Sequence, residues 1–239
     1  HPQGLTRRDT DELSAKVFAW LKKQGIGKED FVLVCLPRGI MIPIAMMGVW
    51  KAGAAVTVVE DTYAAERIEF IRKDCNCKIV IDISSWEEIM KEEPLSGFQK
   101  AQDHDAALAV YTSGTTGFPK GVLHEYGNLK LHMATRDNGR DDRTRKEERF
   151  AFIAPLNFVA FYKNLVSAIV NGMHLFIVPY ATVKNPVLLN LEPEIQDRVL
   201  LTPHIGGISR KSFRHSQINV LKAFEACASG KKPKNIVNG

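Results

Sequence analysis

Tyr111-Thr-Ser-Gly-Thr-Thr-Gly-Phe-Pro-Lys-Gly-Val122 sets hydroxyl side chains, glycines and one lysine between two apolar flanks. Ahead of it, Ala106-Ala-Leu-Ala-Val110 is short and apolar, as in a buried strand. Behind it, Asn128 can cap a helix running towards Met133. A strand that opens into a Gly-rich, hydroxyl-rich loop and then a helix is suited to holding phosphate. The loop glycines let backbone N–H groups approach an anion and take up positive φ. Thr112, Ser113, Thr115 and Thr116 add hydroxyl donors, and Lys120 adds a compact point charge. Nothing in the sequence pins those hydroxyls, so the loop is expected to be mobile when empty. A Walker A loop is excluded, because Pro119 stands where its second glycine belongs.

Upstream, strand and helix signals alternate. Thr10 to Lys23 reads as a helix with Leu13, Val17, Phe18 and Leu21 on one face, capped by Thr10 or Asp9. Phe31–Leu36 reads as a buried strand, and Ile40–Lys51 as a nearly all-apolar helix that should be deeply packed. Ala54–Val59 is a second strand, Ala64–Asp74 a short helix and Lys78–Ile83 a third strand. This alternation predicts a parallel sheet covered on both faces.

The 239 residues suffice for one large domain or two small ones, with 45% hydrophobic and 25% charged residues as in ordinary globular proteins. A formal charge of +5 admits nucleic acid, but acidic and basic residues are interspersed. Even the densest charged run, Arg140 to Arg149, mixes both signs and reads as a solvated loop. No nucleic-acid partner is therefore expected. No segment is apolar and long enough to cross a membrane. Cys75 and Cys77 form a C-x-C pair without a nearby histidine, and together with Cys35 and Cys227 they read as reduced structural thiols of a cytoplasmic protein. The chain reads as a piece of something longer.

The Tyr111–Val122 stretch resembles the phosphate loop of the adenylate-forming (AMP-binding) superfamily at every one of its positions. That superfamily holds acyl-CoA synthetases, luciferases and the adenylation domains of non-ribosomal peptide synthetases. Leu5–Leu13 is similar to the family's opening segment. Trp50–Asp61, followed by Tyr63, Glu66 and Arg67, is similar to a core segment of peptide-synthetase adenylation domains, with Val58-Val59 and Thr62 as departures. Phe158–Gly172 and His174–Pro179 resemble the next core segment. Two further departures are Val159, where amino-acid-activating members carry an aspartate for the substrate ammonium, and Tyr126, where the family often has histidine.

The resemblance implies an α/β fold of mostly parallel sheets flanked by helices, a partial large N-terminal domain of the adenylate-forming fold. Residues 1–190 would form an adenylation-type subdomain. It implies ATP-dependent activation of a carboxylic acid as its acyl-adenylate, with ATP and Mg²⁺. Thr112, Ser113, Gly114, Thr115, Thr116, Gly117 and Lys120 would hold the phosphates, and Asn157, Phe158 and Val159 would belong to the acid pocket. The acceptor would be the thiol of CoA or of a carrier-protein phosphopantetheine. No catalytic residue and no metal ligand is assigned. The family's adenine-packing aromatic segment, ribose-binding aspartate, hinge and small C-terminal domain cannot be placed. The activity is therefore expected to be incomplete in this chain, the alternative being a non-catalytic nucleotide-binding fragment or a fusion.

Residues 191–239 form a tail of different character. Arg198-Val-Leu-Leu-Thr-Pro-His-Ile-Gly-Gly207, a helix-like run and a final Pro233-Lys-Asn-Ile-Val-Asn238 resemble the C-terminal end of NAD-dependent D-2-hydroxyacid dehydrogenases. There the histidine, here His204, is the general acid/base. No G-x-G-x-x-G occurs in the chain, so His204 reads as a vestige that only packs. The alternative reading makes the tail a continuation of the adenylating domain, with Asn238-Gly239 opening a later family segment.

Overall fold

The computed structural model describes residues 4–112, 119–136, 149–152 and 154–177. Ser113, Gly114, Thr115, Thr116 and Gly117, with the mobility expected of them, lie outside the described residues, as do the 191–239 tail and His204. The chain divides into two units, His1–Lys184 and Asn185–Gly239, and every described residue belongs to the first.

Five strands form the main sheet: β1 (Phe31–Val34), β2 (Ala55–Val58), β3 (Cys77–Ile81), β4 (Ala106–Thr112) and β5 (Lys120–Glu125), in the order β3-β1-β2-β4-β5. β1 pairs in parallel with β2 and β3, and β2 in parallel with β4, whereas β5 runs antiparallel to β4. Every residue of β2 is buried, and so is β4 up to its last residue. Such unbroken apolar runs follow from helices on both faces. Val32, Val34, Val56, Val58, Leu108 and Val110 face one cluster. It includes side chains of α1 (Arg7–Lys23), α2 (Met41–Lys51), α4 (Ile83–Ile89) and α6 (Val159–Asn171). The alternate residues Leu33, Val59, Ala109 and Tyr111 face a second cluster with Ile71 of α3 (Ala65–Asp74). The period-two alternation of a pleated strand thus separates two cores. α5 (Tyr126–Arg136) follows β5 directly, and β6 (Arg149–Phe152) pairs in parallel with β7 (His174–Ile177).

α2 is packed as deeply as its composition requires, with Ile42, Ile44, Ala45, Met46 and Val49 at most 1% exposed. Gly48 lets α1 approach it closely: a Cβ there would lie 2.4 Å from the Val17 Cβ. Three local readings are corrected. α1 begins at Arg7, because Thr6 is its cap: the Asp9 N–H donates to Thr6 Oγ1 at 3.2 Å and the Thr6 N–H to Asp9 Oδ2 at 2.8 Å. The third strand stops at Ile81, because Asp82 turns the chain into α4 by accepting the Ser85 N–H at 2.9 Å. The segment after β4 does not lead straight to a helix, since β5 intervenes.

Candidate functional site

The β4–β5 pair is the scaffold of the candidate phosphate site. Thr112 stands opposite Lys120, and Tyr111 opposite Gly121. Cross-strand partners project from the same face, so the side chains of Thr112 and Lys120 leave the sheet on one side. Both residues are exposed, and among the described residues Lys120 enters no ion pair. The root of the pair is tied to α3. The Tyr111 hydroxyl donates to Asp74 Oδ2, at the end of α3, at 2.5 Å. Burial, reinforced by that carboxylate, pushes the phenol above its usual range. Gly121 is required by this packing, since a Cβ there would come 2.9 Å from Tyr111 Cζ. Asn128 does not cap α5 from outside. It is the third helical residue, and its Oδ1 accepts the Glu125 N–H at 3.1 Å. Tyr126 acts structurally, because its hydroxyl donates to the Ala54 carbonyl at 3.0 Å and so ties the start of α5 to β2's approach.

A cleft of about 380 Å³ opens beside this scaffold. Val159 and Lys163 line it from α6, His124 and Leu123 from β5, and Asn128 from α5. Val159 and Lys163 are four residues apart, hence on one helical face. Burial, and then the Lys163 ammonium, hold His124 below the usual histidine range. The three expected pocket residues divide. Val159 lines the cleft, while Phe158, 37% exposed, and the partly buried Asn157 are not among its walls. Sequence reasoning passed over Lys163 and His124. Helical spacing from Val159 was a usable signal for the lysine, and none existed for the histidine.

A second polar cluster sits where the connections of β1 and β2 diverge to helices on opposite faces, the usual crevice of an open α/β sheet. Here the protein fills it itself. Arg38 and Glu60, 9% and 4% exposed, approach to 4.0 Å between Nη1 and Oε1. Arg38 Nη2 donates to the Ala154 carbonyl at 2.8 Å, and Glu60 Oε1 accepts the Leu156 N–H at 3.1 Å. The buried pair thereby ties down the turn that leads into α6, whose Val159 and Lys163 line the cleft. Among the described residues no group of three or more His, Cys, Asp or Glu is arranged to hold a metal ion, and Cys35, Cys75 and Cys77 are free thiols.

The chain is 31% identical over 200 residues to surfactin synthase subunit 1 of Bacillus subtilis, a match covering 77% of this chain but only 6% of that protein. Its structure superposes on the inhibitor-bound N-terminal domain of FACL13 from Mycobacterium tuberculosis with a TM-score of 0.66 at 22% identity, covering 73% of this chain and 50% of that one. The N-terminal subdomain of Klebsiella oxytoca NpsA, in complex with 3-hydroxyanthranilyl-AMSN, gives 0.64 at 22% identity, covering 73% and 47%. At that identity the likeness concerns the fold, and the mostly parallel sheet with its helices is that of the N-terminal domain of the adenylate-forming fold. The match to the AMP-binding enzyme family runs over residues 1–195 and lends the dehydrogenase resemblance of the tail no support. With the sheet order and this match in agreement, the chain belongs to the AMP-binding enzyme family.

Proposed function

We propose that this chain is the N-terminal part of a domain that activates a carboxylic acid as its acyl-adenylate with ATP. The observation that carries the reading is the exposed Thr112–Lys120 pair at the mouth of the Tyr111–Val122 segment. A hydroxyl donor and a lysine on one face of the strand pair fit an anionic triphosphate, and family membership makes ATP the nucleotide of choice. In such a step the acid's carboxylate attacks the α-phosphorus and pyrophosphate leaves. The chain's own part is to hold and orient: Lys120, Thr112 and the residues from Ser113 to Gly117 grip the β- and γ-phosphates and offset charge on the leaving group. Mg²⁺, when bound with the nucleotide, would offset phosphate charge, and no described residue is assigned to hold it. The acceptor is a thiol, of CoA or of a carrier-protein phosphopantetheine. Residues 1–190 are assigned to this subdomain, and 191–239 to its continuation.

The acid lies in the cleft and need not carry an α-amino group. An ammonium beside Val159 has no carboxylate partner there, and Lys163 on the same helical face repels it. A buried, unpartnered ammonium costs several kcal/mol. Aryl, hydroxy and fatty acids fit this wall better, and β-amino acids remain candidates. The test is ATP–pyrophosphate exchange by the chain extended through the rest of its domain, screened against amino acids and their deaminated analogues. Exchange with the deaminated acids is expected. Exchange supported only by α-amino acids would sink the assignment of the cleft.

A further inference from the structure

α3 ends in an unusual way. Cys75 closes it, Asn76 takes the left-handed conformation at φ 50, and Cys77 opens β3. This reversal turns both cysteine side chains into one cluster, with Leu33, Val59, Ile71 and Tyr111. Both thiols belong to that one cluster, and Thr57 Oγ1 lies 3.3 Å from Cys75 Sγ. Their accessibility differs: Cys77 is 5% exposed, whereas Cys75 is half-buried. We propose that Cys75 and Cys77 are an oxidation-sensitive dithiol, in which half-exposed Cys75 reacts with a peroxide and buried Cys77 resolves the product to an intrachain disulfide.

The chemistry follows from the arrangement. A Cys75 thiolate accepts hydrogen bonds from the Cys77 S–H and the Thr57 hydroxyl, which favour the charged form that attacks peroxide. The bond from Cys77 holds Cys75 below its usual range, and the same bond together with burial holds Cys77 above it. The Cys75 sulfur attacks one peroxide oxygen, the O–O bond breaks, and the leaving hydroxide takes a proton to become water. Cys75 is then a sulfenic acid. The Cys77 sulfur attacks the Cys75 sulfur, hydroxide leaves with the Cys77 proton, and the S–S bond forms. Two thiols and one peroxide thus give one disulfide and two waters. Cys35 is a built-in control. Burial, with Asp61 and Asp82 nearby, pushes its thiol up, so it should remain reduced.

The test treats the folded 239-residue chain with limiting hydrogen peroxide near neutral pH, alkylates the remaining thiols and maps them by peptide mass spectrometry. The peptide carrying Cys75 and Cys77 is expected to lose two hydrogens while Cys35 is recovered alkylated. The rate is expected to be on the order of tenfold faster than in the urea-unfolded chain. In Cys77→Ser, dimedone should trap a sulfenate on Cys75, and in Cys75→Ser, Cys77 should stay a thiol. Oxidation of Cys35 as fast as the pair, a sulfenate trapped on Cys77, or equal rates in the folded and unfolded wild type would overturn the proposal. The wild-type comparison holds even if a serine variant fails to fold.

Discussion

Arg38 and Lys120 are two cations of one α/β unit put to opposite uses. Arg38 is buried, faces Glu60 and donates to the Ala154 carbonyl. Lys120 is exposed, stands opposite Thr112 across the strand pair and, among the described residues, enters no ion pair. A buried charge must be met inside the fold, because its desolvation is otherwise too costly. An exposed one costs little to leave open, so it remains available to a ligand. The crevice between β1 and β2 is therefore architecture, and the mouth of β4 and β5 is the candidate site. The first serves the second by fixing the turn before α6.

Removing either charge breaks the comparison in a different observable. Glu60→Ala leaves Arg38 and the Leu156 N–H without this carboxylate, and should cost about 3–5 kcal/mol of stability. Urea unfolding measures it, and a midpoint equal to that of the wild type would show that Arg38 does not depend on Glu60. Lys120→Ala should leave stability within about 0.5 kcal/mol, as for an ordinary surface change. It should weaken ATP binding by about 1.5–3 kcal/mol, the worth of a charge-assisted contact. Calorimetry giving equal ATP affinity for both forms would remove Lys120 from the site.

Gly121→Ala sharpens the contrast within the β4–β5 pair itself. Its Cβ would press on the Tyr111 ring, so a loss of about 1–3 kcal/mol in unfolding free energy is expected, as for an overpacked position. An unchanged denaturation midpoint would mean that Tyr111 moves aside freely. The smallest effect concerns His124, whose folded-state pKa lies below its ordinary value of 6.5. The unfolded chain then binds the proton first, so stability rises with pH across the interval between the two values. This contribution is whole above 6.5, declines as pH falls below it, and levels off beneath the folded pKa. On acidification the wild type should lose stability relative to His124→Gln. Parallel pH profiles would show that the histidine is not buried against Lys163.

The strands β1, β2 and β4 were legible because unbroken apolar runs admit few other uses, and α2 because an all-apolar helix must be buried. The missed pieces have local or distant causes. The cap of α1 was read too late, since Thr6-x-x-Asp9 precedes the apolar stripe that drew attention. α4 was hidden by a strand-like run that Asp82 terminates through its own side chain. β5 is mostly exposed, so no buried face marks it, and its strand conformation comes from pairing with β4. In the candidate site, Thr112 and Lys120 were legible from the motif, Val159 from its place in the family segment, and His124 not at all; nor was the buried Arg38–Glu60 pair that supports the site.

By itself the sequence determined the alternation of strands and helices, the glycine- and hydroxyl-rich segment and the family. These are encoded in neighbouring residues through side-chain periodicity, turn chemistry and spacing. Only the tertiary structure decided which charges are satisfied within the fold and which face outward. Glu60 and Leu156 meet across 96 residues of chain, and Arg38 and Ala154 across 116. Desolvation depends on what packs around a group in space, and no local pattern in the chain records it.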